Sequence, residues 1–157
     1  MRSGWTYLLA MLPLLAWPAH GWAEDATYGD WAKQCEAAPN GGERCYLIQT
    51  VTAGERPVMV VIVAYSPKRD RVAAMIDVPL GMHIPTGLEV RADGFLKRIE
   101  FEQCLPTGCR AMLPMDDALL AALKNGSAAA IAGRARNGTD MEMPISAQGF
   151  VEAFGAL

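Results

Sequence analysis

Two cysteines with only four residues between them, in the stretch 101–114, constrain this chain more than any other feature. Between Cys104 and Cys109 stand Leu105, Pro106, Thr107 and Gly108. Pro106 presets one turn dihedral and Gly108 accepts a positive φ, so the two sulfurs can reach bonding distance. The flanking runs, ending at Phe101 on one side and covering 111–113 on the other, read as strands, which makes the stretch a stapled hairpin. It could be a structural staple or a redox centre. Disulfide oxidoreductases use Cys-x-x-Cys with the first thiol at a helix N-terminus, where its pKa is depressed. The longer spacing and the strands on both sides favour the staple.

The compartment bears on the same choice. Arg2 gives a positive n-region, residues 7–17 form an uncharged apolar run, and Gly21 and Ala23 place small residues at a cleavage site. Residues 1–23 therefore read as a secretory signal peptide, with cleavage between Ala23 and Glu24. The competing reading, an N-terminal membrane anchor, is disfavoured by a short run broken at Pro13 and Pro18. No cysteine follows the run, so a lipid-modified N-terminal cysteine is excluded. The later apolar run 58–65 is only strand length, so the cleaved protein is not expected to be an integral membrane protein.

Removing residues 1–23 from 157 leaves 134, the size of one domain, expected over residues 24–157. Only Arg2 is lost among the charges, so the net charge moves from −3 to −4. With no basic cluster larger than Lys68, Arg69 and Arg71, nucleic acid is not an expected partner. All four cysteines remain, and an even number in an exported chain favours disulfides. Locality favours Cys35 with Cys45 and Cys104 with Cys109 among the three connectivities.

Along the chain, Trp31, Lys33 and Cys35 alternate as in a first strand, and 36–43 is turn chemistry. Residues 44–51 resume a β-rich string. After a breaker at 53–57, the unbroken run 58–65 predicts a central strand covered on both faces. Residues 71–78 read as its antiparallel neighbour, and 79–87 as an irregular loop or broken edge strand. Asp93-Gly94 is a hairpin signal between 88–92 and 95–101. On the second of these, Phe95, Ile99 and Phe101 share a face opposite Arg98, Glu100 and Glu102.

Residues 116–125 form the clearest helix, with Asp116 as cap, Leu119, Leu120 and Leu123 at helical spacing and Gly126 as stop. Residues 127–136 predict a strand with a bulge at Gly133. Asn137-Gly138 turns the chain into 140–145, an edge strand by virtue of Pro144. A terminal helix over 146–154 would be capped by Ser146 and would present Phe150 and Phe154 on one face. The sum is a mainly β protein: an antiparallel β-sandwich or partly closed barrel with one or two short helices, stapled by disulfides.

Candidate chemistry is sparse. His83 is the one histidine after cleavage, and no Gly-x-Ser-x-Gly elbow accompanies it. Thioethers and an imidazole suit Cu(I), so Met82, His83, Met141 and Met143 form a candidate copper set, as in a periplasmic copper-binding protein or an envelope enzyme using His83. Methionine is also a common filler of irregular cores. Asn125 and Asn137 fit the glycosylation pattern, yet a helix stop and a hairpin turn already account for them. Asp116 and Asp117 belong to a helix start, where the dipole favours carboxylates.

Taken together, the residues resemble the invasion-associated locus B family of exported bacterial proteins. The likeness rests on Tyr28, Gly29, Asp30 and Trp31 ahead of Cys35, on Cys45 with Gln49, and on Pro85, Thr86, Gly87 and Leu88 before the Asp93-Gly94 hairpin. It is strongest in the C-terminal half, through Phe101, Glu102, Gln103 and Cys104, then Gly108, Cys109, Arg110 and Ala111. The helix at 119–124 with Gly126, then Pro144, Ile145 and Ser146 with Gly149 and Phe150, follow in the family's order. The resemblance implies a β-rich periplasmic or surface-associated protein, named for a contribution to host-cell entry, and brings no catalytic residues or cofactor. The expected function is a non-enzymatic binding or interaction module whose partner is an envelope or host-surface component.

Overall fold

The computed structural model describes residues 25–39 and 41–157; the expected signal peptide and its junction at Ala23 and Glu24 lie outside the described residues. Eleven strands form two antiparallel sheets. The larger contains β1 (Ala26–Tyr28), β2 (Trp31–Ala37), β3 (Glu43–Ala53), β4 (Arg56–Tyr65), β5 (Val72–Val78), β8 (Phe101–Leu105) and β9 (Gly108–Pro114), in the order β1-β2-β3-β4-β5-β9-β8. The smaller contains β6 (Leu88–Ala92), β7 (Phe95–Ile99), β10 (Ala129–Arg134) and β11 (Asp140–Ile145), in the order β11-β10-β6-β7. Helices α1 (Asp117–Lys124) and α2 (Phe150–Gly155) complete the fold. The architecture is a β-sandwich whose sheets do not close on one another, leaving β1 and β8 as edges of the larger sheet.

Alternation builds the core. Leu47, Met59, Val61, Val63, Ala74, Ile76, Ala111 and Leu113 point inward from the larger sheet, and Leu88, Val90, Ile131, Met143 and Ile145 meet them from the smaller. Burying each large aliphatic chain stabilises the fold by roughly 1.5–3 kcal/mol. Trp31 and Phe150, both fully buried, meet edge to face at 5.2 Å and dock α2 beside β2. The Asp116 carboxylate accepts the Leu119 N–H at 3.0 Å, capping α1 as its sequence predicts.

Several local expectations are corrected. The run 95–101 is two strands, not one: β7 pairs with β6, and after Glu100 the chain crosses to the larger sheet, where β8 pairs with β9. Gly133 is not a bulge, since β10 keeps a regular register through it. A Cβ there would stand 2.6 Å from Met82 Cε and 2.9 Å from Leu88 Cδ2, so glycine makes room for core side chains. Residues 79–87 are the irregular loop expected of them, containing an isolated bridge from Met82 to Ala135 and a 3-10 turn, Ile84–Thr86. The breaker expected at 53–57 is present but shorter, a turn at Gly54 and Glu55, since β3 and β4 pair through Ala53 and Arg56. The terminal helix begins at Phe150 after Gly149, while the Ser146 hydroxyl instead accepts the Gln148 N–H. The short strand β1 carries too little pattern to be read from sequence.

The most consequential correction concerns β4. It is the middle strand of the larger sheet, but only Met59, Val61 and Val63 are buried; Val60, Ile62 and Ala64 on the opposite face stay partly exposed. An unbroken apolar run usually means cover on both faces. Here nothing among the described residues covers the second.

Candidate functional site

The outward face of the larger sheet is assembled by register. Ala32, Ile48, Ile62, Met75 and Met112 stand opposite one another in sequence across β2, β3, β4, β5 and β9, forming one apolar row. Beside it run Ala73 and Ala64, with Tyr46 facing Gln34 and donating its hydroxyl to Gln34 Oε1 at 3.2 Å. The row on the other side turns polar: Thr50, Val60, Asp77 and Arg110 follow in register, and Asp77 holds the Arg110 guanidinium through two bonds of 2.7 Å. Solvated sheet faces normally alternate to polar residues, and this contiguous apolar row departs from that pattern.

At one end of this face the β2–β3 loop and the β4–β5 turn rise on either side of a groove of about 700 Å³. Ile62, Ala64, Met75 and Tyr46 lie among its lining residues as an apolar floor. Its charge is uneven. On the β2–β3 side Glu36 pairs with Arg44 at 2.5 Å and Glu43 stands beside them. The β4–β5 turn carries Lys68, Arg69 and Arg71 against Asp70. Arg69 adopts φ 56°, stacks its guanidinium 4.5 Å from the Tyr65 ring centre and donates to the Leu157 carbonyl at 3.0 Å. Ser66 donates to Asp70 at 2.6 Å and holds that carboxyl below its ordinary range.

The outward face of the smaller sheet has a different character. A depression of about 590 Å³ is lined by Glu89, Arg91, Arg98, Arg134, Asp140 and Glu142 among others. Arg134 binds Asp140 at 2.7 Å, and Arg91 binds Glu89 at 2.5 Å and Glu142 at 3.5 Å, so its charges largely neutralise one another.

The residues singled out from sequence occupy scattered places. Cys35 is bonded to Cys45 and Cys104 to Cys109, each pair at directly opposite strand positions. Cys35, Glu43 and Cys45 are the group of potential metal ligands brought within 4.8 Å of one another among the described residues, and both of its sulfurs are committed to the disulfide. His83 is exposed while Met82 beside it is buried against Gly133, and Met143 is buried in the core. The thioethers of Met82 and Met143 therefore serve packing, Met141 packs partly buried against the core, and the His83 side chain lies exposed. Asn125 caps the end of α1, and the Asn137 side chain accepts the Thr139 N–H at 3.1 Å within its turn. The outward face of β3, β4 and β5 was legible as apolar sequence, but its exposure depends on what the chain does not place over it.

Fold and cysteine chemistry together define an exported, disulfide-stapled β-sandwich, and no helix among the described residues is long and apolar enough to cross a membrane. The chain belongs to the family described as Invasion associated locus B (IalB) protein, whose family model matches residues 31–157. Among solved structures it is similar to the crystal structure of invasion associated protein B from Bartonella henselae. That likeness has a TM-score of 0.74 and 21% identity, covering 85% of this chain and 93% of the other. At that identity the likeness establishes the fold. Comparison with curated protein sequences gave no match.

Proposed function

We propose that the protein is a non-enzymatic binding module of the bacterial envelope, working in the periplasm or at the outer membrane through the outward face of its larger sheet. The observation that carries this reading is the apolar row Ala32, Ile48, Ile62, Met75 and Met112, left uncovered by the rest of the described chain. Interior strands fix those side chains without needing a ligand to order them, and a surface formed in advance loses little entropy on binding. A contribution to host-cell entry, suggested by the name of the structural neighbour, would be a use of this surface.

The test compares the exported protein with its Ile62→Asp variant in envelope fractions of an expressing bacterium. The reading expects the wild type to be retained by envelope material and the variant to be released, with both melting as folded proteins. Equal retention of the two would overturn it.

A further inference from the structure

We infer that the groove at the end of this face takes a single acyl chain carrying an acidic headgroup, drawn from the lipids of the bacterial envelope. The inference rests on the binding-face reading and gives it a ligand chemistry. The floor strands β3, β4 and β5 are interior, each hydrogen-bonded to neighbours on both edges. They leave no free row of backbone donors and acceptors, so an extended peptide laid in the groove could not add a strand and would bury unpaired amides. A ligand held there must be recognised by apolar side chains along its length and by charge at one end. An acyl chain has no polar groups to lose along its length.

The charge asymmetry sets the direction. The acidic groups Glu36 and Glu43 flank one side, where Arg44 is already bonded to Glu36. On the other side Arg69 lines the groove, in a turn that also carries Lys68 and Arg71, the latter 3.9 Å from Asp70, so an anionic head lies at the turn with its tail over Ala64, Ile62 and Met75. Arg69 is held ready by Tyr65 and the Leu157 carbonyl. The volume of about 700 Å³ falls in the usual range for small-molecule sites, roughly 300–1,000 Å³.

Calorimetric titration of the exported protein with dodecanoate, decanoate and dodecyltrimethylammonium, each below its micelle concentration, tests this. Dodecanoate should bind one to one. Decanoate, shorter by two methylenes, should bind about tenfold more weakly, since each buried methylene is worth up to about fourfold. The cationic amphiphile should bind at least tenfold more weakly than dodecanoate. The surface variant Lys68→Glu with Arg71→Glu should narrow or reverse that preference, and folded Ile62→Asp should lose dodecanoate. Absence of dodecanoate binding, equal affinity for the cation, or no dependence on chain length would overturn the inference. If dodecanoate fails to bind while Ile62→Asp still releases the protein from envelope material, the ligand assignment alone falls. If Ile62→Asp changes neither, the binding face falls with it.

Discussion

Gln49 and Ser146 exchange two hydrogen bonds across the sandwich: the Ser146 N–H donates to Gln49 Oε1 at 3.0 Å, and Gln49 Nε2 donates to the Ser146 carbonyl at 3.4 Å. The same carbonyl accepts the Trp31 indole N–H at 2.8 Å. Gln49 is 3% exposed and is the one buried polar side chain among the described residues. It ties the end of β11 to the inner face of β3, where an aliphatic residue would leave a backbone amide without a partner. Gln49→Ala should lower the unfolding free energy by about 1–3 kcal/mol, the cost of that orphaned N–H. A urea denaturation midpoint equal to wild type would contradict the tie.

The two disulfides should act as independent staples. Cys104→Ser with Cys109→Ser removes a short closed loop, and Cys35→Ser with Cys45→Ser a longer one. The chain-entropy account gives about 2–3 kcal/mol for each. Because Cys109 is buried, its serine replacement also places a hydroxyl in the core, so the first double variant should be the less stable. Thermal melting of both variants checks the order, and a Cys104/Cys109 variant that melts like wild type would show that this staple does not stabilise the fold.

Gly149 and Gly138 both hold positive φ, at 80° and 87°. They separate conformational strain from crowding. A Cβ on Gly149 would stand 2.0 Å from the Tyr28 carbonyl oxygen, whereas one on Gly138 meets nothing within 4 Å. Gly138→Ala should cost about 1–2 kcal/mol from backbone strain alone. Gly149→Ala should cost clearly more, because β1 must move away from α2. Equal losses in chemical denaturation would argue against that close approach.

Much of the fold was legible in the sequence because its cues are local. The Asp116 cap, the Asp93-Gly94 and Asn137-Gly138 turns and the β-rich string of β3 each act within a few residues. The crossing of the chain between sheets at Glu100 was not, since a strand that continues and one that changes sheet carry the same alternation. The partly exposed face of β4 was hidden for a related reason: an apolar run records what side chains avoid, and whether the rest of the chain covers them is decided by tertiary placement. Helix α2 starts later than a Ser146 cap predicts because Gly149 precedes it as the N-cap, and it keeps both Phe150 and Phe154.

Acid should remove a modest part of the stability. Hydrogen bonds from Arg134, with its charge, hold the Asp140 carboxyl below the ordinary value of 3.8, and the Ser66 hydroxyl does the same for Asp70. A folded-state pKa below the unfolded one contributes stability that is present above 3.8 and lost as the pH falls through the folded value. Both groups are at the surface, so the effect should shrink with added salt. In melting scans from pH 6 to pH 2.5, Arg134→Gln should show a shallower acid decline than wild type, and identical curves would count against the pair.

The binding role of the outward face is tested most directly by site-specific photo-crosslinking in living cells, with a photoreactive residue placed at Ile62 or at Ala132. Ile62 lies in the apolar row of the larger sheet, and Ala132 faces outward from the smaller one between Glu89 and Glu142. Adducts identified by mass should form from position 62 and be absent or much weaker from position 132. Equal labelling from both positions, or none from position 62 in a folded and exported protein, would contradict the account.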